Sequence, residues 1–280
     1  MAVPFKHLRH AALSDVGKVR AQNEDAFGTF PEYGVFCVAD GMGGGRDGAL
    51  ASSTIVRFIG NFLNSYPAPH DTAYAIDEML DGVRQTVNEA SDWIFRRTKA
   101  QGGGMCGSTF VGLCFNGGFP QSAFALHAGD SRLYRFRRGA LEQLTLDHSL
   151  AVAVGLDENR LTKGMRSVVM RAVGVEQKVS LDTTTIDVEE GDRFLLCSDG
   201  LTRMVDDEGI ATILAKNDDV EAVAAALVAE TNMRGGADNV TVLLVDVGSL
   251  PSPCDQVSMV SVVSDGSSGN LDEQMKTILA

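Results

Sequence analysis

The stretch Tyr33 to Gly45, YGVFCVADGMGGG, decides how the rest of the chain is read. Val35 to Ala39 is an unbroken apolar run of strand length, and it delivers a carboxylate, Asp40, directly onto a glycine. Such a junction suits a hard divalent cation. The strand fixes the direction of the carboxylate, and Gly41 permits a turn sharp enough to offer its own carbonyl to the same ion. Gly43, Gly44 and Gly45 keep side chains out of the space above. A single Asp-Gly is an ordinary turn. The reading as a site depends on recurrence: Asp130, Asp199 and Asp238 stand at three further strand ends or turns.

The run Phe194 to Cys197 leads into Ser198-Asp199-Gly200 and repeats the first junction, while Asp238 precedes the apolar run from Val240 to Val245. Asp238 reaches the same sheet edge if its strand is antiparallel to the other two. Acids gathered at one edge repel each other unless cations lie between them, and an all-oxygen ligand set selects magnesium or manganese. Two ions bridged by one carboxylate hold a water, lower its pKa and aim it at a phosphorus atom. Upstream, Arg20 is followed by Glu24 and Asp25. One reading is a solvated hairpin with a weak ion pair. In the other, the arginine fork meets phosphoryl oxygens and the two acids accept hydrogen bonds from water on the metal. Asp130 in GDSR either aims at the same centre or caps its own short turn. Together these features describe direct hydrolysis of a phosphomonoester.

With 24 basic and 37 acidic residues among 280, the net charge of -13 disfavours nucleic acid and anionic membranes as partners. The chain has no 18-residue apolar run and no signal-peptide core, so a cytoplasmic protein is expected; it is also expected to be a monomer. The five cysteines, Cys37, Cys106, Cys114, Cys197 and Cys254, have no CxxC spacing and read as reduced thiols. His127 and His148 have no second histidine at ligand spacing in sequence, which leaves a zinc cluster unsupported.

Apolar periodicity predicts a first strand over 8 to 16, turned by Gly17-Lys18 into 19 to 27, and helices over 47 to 62 and 71 to 98 that cover one face of a sheet. A meander of strands follows at 108 to 115, 122 to 127, 132 to 137 and 141 to 144. Residues 151 to 170 lose the apolar period and read as a substrate-contact flap bearing Arg160, Lys163 and Arg166, with a short helix near 158 to 163. Helices beginning near Met204 and over 219 to 231 precede the last strand. Beyond it come a linker, an edge strand at 257 to 263 and a helix at 271 to 279.

The set RAQNEDAF, VADGMGG, GST, GDSR, DHS, RAVG, CSDGL and GADNVT, in this order over residues 8 to 247, resembles the PPM family, or type 2C, of metal-dependent protein serine/threonine phosphatases, its bacterial members in particular. The resemblance implies an α+β, four-layer α-β-β-α sandwich of two packed antiparallel sheets with helix pairs outside. It implies that Asp40 bridges two Mn2+ or Mg2+ ions, that the Gly41 carbonyl serves one, and that Asp199 and Asp238 serve the other. Glu24 and Asp25 then contact bound waters, Asp130 shares a third, weaker ion with Asp199, and Arg20 binds phosphate. The domains implied are a catalytic one over 1 to 247 and an extension of unknown role over 248 to 280. The partners implied are phosphorylated proteins and a cognate serine/threonine kinase, in a secretion-system regulatory cluster as one option. Met42 stands where eukaryotic relatives often carry a histidine proposed as general acid, and the flap lacks the usual histidine and proline. The competing reading is a catalytically inactive phosphatase-like regulatory protein, against which every acidic ligand position is filled.

Overall fold

The computed structural model describes residues 5–65, 76–117, 119, 121–155, 168–216 and 218–250. Eleven strands and six α-helices are described, with a short 3-10 helix at Pro31–Tyr33 between the second and third strands. In order they are β1 (Leu8–Asp15), β2 (Asp25–Phe30), β3 (Val35–Met42), α1 (Arg46–Ser65), α2 (Ile76–Ala100), β4 (Gly107–Ser108), β5 (Phe110–Phe115), β6 (Ser122–Ala128), β7 (Arg132–Arg137), β8 (Ala140–Gln143), α3 (Leu150–Val154), β9 (Asp182–Asp187), β10 (Arg193–Cys197), α4 (Asp199–Thr202), α5 (Asp207–Leu214), α6 (Val220–Met233) and β11 (Val240–Val247). One sheet runs β1-β11-β10-β7-β8; the other runs β2-β3-β5-β6-β9, with β4 added on β3. Every pairing between these strands is antiparallel.

The period-2 alternation of β3 shows how the layers form, because successive side chains of a strand point to opposite faces. Val35, Cys37 and Ala39 face outward, onto Ile55, Ile59 and Leu63 of α1 and Met79, Val83 and Val87 of α2. Phe36 and Val38 face inward and meet Leu133, Phe194, Leu196, Leu243 and Val245 of the other sheet. On the far side Leu195, Cys197, Val242 and Leu244 pack on Ile210 and Ile213 of α5 and Val223 and Leu227 of α6. Strands buried on both faces explain why the decisive runs are continuously apolar instead of alternating. Each fully buried large aliphatic or phenylalanine side chain contributes roughly 1.5–3 kcal/mol. The result is the expected α-β-β-α sandwich.

Three sequence expectations are corrected. β1 and the segment after Gly17 do not form a hairpin: β1 pairs with β11 and β2 pairs with β3, so residues 16 to 24 cross from one sheet to the other. The meander is likewise broken at Gly129-Asp130, because β6 and β7 lie in different sheets. Asp130 therefore sits in a crossover and not in a hairpin turn. Strand β9 was not anticipated; its DTTTID sequence is mostly exposed and lacks a strong apolar signal. The expected helix near 158 to 163, the flap residues Arg160, Lys163 and Arg166, Cys254 and the elements of the tail lie outside the described residues.

The two Asp-Gly steps owe their glycines to close approach. β3 continues through Gly41 to Met42 and pairs with β4 there, so the sharp turn expected at Gly41 is absent. A Cβ on Gly41 would lie 2.2 Å from the Gly48 carbonyl oxygen, and one on Gly200 would lie 1.9 Å from the Asn239 carbonyl oxygen. Neither neighbour can yield without moving backbone. The reversal into α1 instead falls on Gly43, Gly44 and Gly45, with φ of 137°, 84° and 63°. Gly200→Ala is expected to cost about 3 kcal/mol, the upper part of the usual range for overpacking. Chemical denaturation of the purified variant, read as a lowered midpoint at unchanged slope, checks this.

Candidate metal centre

The carboxylates converge from both sheets. Asp25 opens β2 directly opposite Asp40 of β3 in the register, while Asp199 follows β10 and Asp238 precedes β11 in the other sheet. Asp130 enters from the crossover between β6 and β7. The sequence suggested one edge of one sheet; the site lies where two sheets end together. Arg20, Asp40, Asp130, Asp199 and Asp238 line a single cleft of about 430 Å3.

Each acid is positioned by groups far away in sequence. The Asp40 backbone N–H donates to Thr109 Oγ1 at 3.0 Å, the Thr109 N–H returns a bond to the Asp40 carbonyl at 2.9 Å, and Thr109 and Ser131 hydroxyls lie 2.7 Å apart. Asp25 Oδ2 accepts from Ser198 at 2.8 Å and from Thr241 at 2.7 Å, which ties the two sheets together. Asn239 clamps the crossing segment. Its Oδ1 accepts from the Glu24 N–H at 2.9 Å, and its Nδ2 donates to the carbonyls of Val16 and Gln22, both at 2.9 Å. Glu24 is buried, with Oε1 accepting from the Gly45 N–H at 2.7 Å. One of its oxygens is thus committed to the start of α1.

Neighbouring motifs support the frame from behind. Arg132 of GDSR grips Asp147 of DHS through Nε and Nη2, at 3.0 Å and 2.7 Å, and donates from Nη1 to the Tyr134 hydroxyl at 2.8 Å. It is held away from the cleft. Arg20 does line the cleft, and its Nη2 donates to Asp238 Oδ2 at 2.8 Å.

Electrostatically the cluster is short of positive charge. Burial, with repulsion from Asp25, Asp199, Asp130 and Asp238, pushes the Asp40 carboxyl well above its ordinary range. Burial and Asp130 raise Asp199 to about 8 against the pull of Arg203. Burial raises Asp25 to about 6, although Thr241 and Ser198 hold it down. Burial also raises Asp130. Asp25 Oδ1 is buried and finds no hydrogen-bond partner. An orphaned carboxylate oxygen among four other acids is what a cation site leaves when only the protein is considered, since such groups are otherwise paired. The donor set, oxygen throughout, fits Mg2+ or Mn2+.

A second metal-capable group lies nearby. His127, His148 and Asp182 place one ligand atom each within 4.8 Å of one another. Sequence spacing hid this, because the histidines are joined only by the fold, with rings stacked at 4.6 Å. Their atoms have protein partners here. His127 Nε2 donates to the Leu146 carbonyl at 2.9 Å, and His148 Nδ1 accepts from the Gly129 N–H at 3.1 Å. The His148 proton therefore sits on Nε2 and is donated to Asp182, at 3.2 Å, whose other oxygen accepts from Arg171. The arrangement steadies the crossover that carries Asp130.

A two-sheet sandwich with an oxygen-rich cluster of acids at one end suits a metal-dependent hydrolase of phosphate esters. The comparisons with known proteins make the class specific. The family model described as protein phosphatase 2C matches residues 18–232. The serine/threonine phosphatase stp of Listeria monocytogenes is 34% identical over 244 residues, covering 83% of this chain and 93% of that protein. Among solved structures, PppA of Pseudomonas aeruginosa, described as a key regulatory component of T6SS, superposes with a TM-score of 0.77 at 36% identity, over 87% of this chain and 99% of that one. The catalytic domain of PstP in complex with two manganese ions gives 0.72 at 32% identity, over 86% and 99%. The chain belongs to the PPM, or protein phosphatase 2C, family and is a metal-dependent serine/threonine phosphatase of the bacterial type. No helix among the described residues is long and apolar enough to cross a membrane.

Proposed function

We propose that this phosphatase hydrolyses phosphoserine and phosphothreonine in proteins at a two-ion Mn2+ or Mg2+ centre, in which Asp40 would be shared by the ions, the Gly41 carbonyl would serve one, and Asp199 and Asp238 would serve the other. The observation that carries this reading is the convergence of four aspartates, Asp40, Asp130, Asp199 and Asp238, on one cleft, with Asp25 opposite Asp40 in the register and its Oδ1 left unpaired. When bound, the ions supply a water of lowered pKa and Lewis acidity toward the phosphoryl group. Glu24 and Asp25 orient their hydration shell. Arg20, half-exposed at the mouth of the cleft, turns its guanidinium from Asp238 to the non-bridging phosphoryl oxygens. Met42 has no proton to give, so the proton for the leaving serine or threonine oxygen comes from another donor at the site. The catalytic domain in this reading is residues 1 to 247, the segment from 248 onward is an extension, and Arg160, Lys163 and Arg166 contact substrate. The T6SS role stated for PppA favours a phosphoprotein of a secretion-system regulatory cluster as substrate, opposite a serine/threonine kinase.

Arg20→Ala tests the substrate side of this reading. Phosphate release from a phosphothreonine peptide is expected to show KM raised about tenfold or more, the loss of one charge-assisted bond pair, with calorimetric Mn2+ binding retained. Loss of both ions in the variant would contradict the assignment. Asp130→Ala tests the third ion: crystals soaked in Mn2+ are expected to keep two anomalous peaks and lose the one beside Asp130, with peptide turnover reduced about tenfold or more. A variant of normal turnover would assign Asp130 to the crossover alone.

A further inference from the structure

Nothing in the hydrolytic scheme uses Arg203, yet its guanidinium lies inside the carboxylate cluster. Arg203 follows the single turn of α4 and stands four residues after Asp199. It pairs with Asp199 Oδ2, its Nη1 lies 3.6 Å from Asp238 Oδ2, and it lines the same cleft as Asp40 and Asp130. The carboxylates of Asp199, Asp130, Asp238 and Asp40 all act on it, and burial opposes them. Arg20 reaches the same Oδ2 of Asp238 from its own side. Asp199 and Asp238 are therefore both covered by arginine, whereas no arginine pairs with Asp40, Asp25 or Asp130 among the described residues.

We propose that Arg203 is a built-in competitor of the divalent cation at the Asp199–Asp238 pair: it holds the two carboxylates together while no ion is bound and is expelled into the cleft when one binds. This rests on the reading of Asp199 and Asp238 as ligands. A guanidinium and a dication cannot share one carboxylate oxygen, because like charges at 3–4 Å in a half-buried site repel strongly. The geometry permits the exchange. The arginine backbone is anchored by its N–H to the Asp199 carbonyl at 2.9 Å, so only the side chain has to rotate. That side chain is 36% exposed and has solvent on one side. A pair built for stability looks different here: Arg193 and Asp246 are each only 9% exposed, with two bonds of 2.6 and 2.7 Å.

The experiment is a calorimetric titration of metal-free protein with Mn2+, made on the full chain, Arg203→Gln, Arg203→Lys and Arg96→Gln. The last removes the same charge on exposed α2, where among the described residues Arg96 pairs only with Asp92, and reports the effect of net charge alone. Arg203→Gln is expected to tighten at least one Mn2+ site about tenfold, Arg203→Lys to tighten it less because the point charge remains but the fork is gone, and Arg96→Gln to leave every site unchanged. Unchanged or weaker Mn2+ binding in both Arg203 variants overturns the proposal while leaving the two-ion reading intact. Equal tightening by Arg96→Gln overturns it in favour of general charge. Should the glutamine variant not fold by circular dichroism, the lysine variant alone decides. If no form binds Mn2+, the two-ion reading fails first and the competitor with it.

Discussion

Asp40→Ala is expected to abolish phosphatase activity, by about 10³-fold or more, and at the same time to leave the metal-free protein as stable as the parent or more so. The first effect follows from the place of Asp40 as the only acid proposed to touch both ions. Lewis-acid stabilisation of several kcal/mol is at stake, and each 1.4 kcal/mol is tenfold in rate. The second follows from the site itself. Asp40 is repelled by Asp25, Asp199, Asp130 and Asp238 together, so its removal relieves four unfavourable interactions when no cation is present. Its backbone bonds to Thr109 survive truncation of the side chain. Turnover of a phosphothreonine peptide in saturating Mn2+, with thermal melts in chelator, measures both. Activity within tenfold of the parent rules out the bridging role, and a large drop in the chelated melting temperature shows that Asp40 serves the fold.

Removing the metal should make stability fall with rising pH. Asp25 and Asp199 titrate at about 6 and about 8 in the folded, metal-free chain, against an ordinary value of 3.8. Between those limits the folded state holds more protons than the unfolded state, so stability is lost as pH rises from about 4 through 8. Three other groups act in the opposite sense. His7 and His148 are pushed below 6.5 by burial, so they favour folding as pH rises through 6.5. Asp187, held at about 2 by Arg137 and Arg135, matters only below pH 4. A difference measurement removes these contributions, because they are common to both forms of the protein. The melting temperature in Mn2+ minus that in chelator should widen by about 5 °C or more between pH 5.5 and 8, beyond the rise due to metal mass action measured at a fixed ratio of ion to Kd. A difference that stays flat would show that the carboxylates ionise without mutual penalty.

The two Asp-Gly steps were legible because they are local. A continuous apolar strand announces burial on both faces, and an acid set against glycine where that strand stops is a short-range signal. The caps of the later helices are equally local, although the sequence reading did not name them: Asp206 accepts from the Gly209 N–H at 3.0 Å and Asp219 from the Glu221 N–H at 3.0 Å. Helix α1 followed from its apolar spacing, with ends differing by one to three residues.

What the sequence determined by itself was which residues are acids at strand ends, which faces of which segments are apolar, and through eight ordered motifs, the family. Tertiary structure alone decided which sheet each strand joins, and hence that Asp40 and Asp199 approach each other from opposite sheets and not along one edge. It decided that Ser198 and Thr241 hold Asp25, which are separated from it by 173 and 216 positions, that Asn239 clamps residues 16 to 24, and that His127 stacks on His148. It also set Arg203 among the acids, a residue that the sequence reading passed over. The physical reason is one of range. Side-chain periodicity and capping act within a few residues, whereas the burial of two sheets against each other is a cooperative choice among many pairings, and only that choice fixes which distant groups meet.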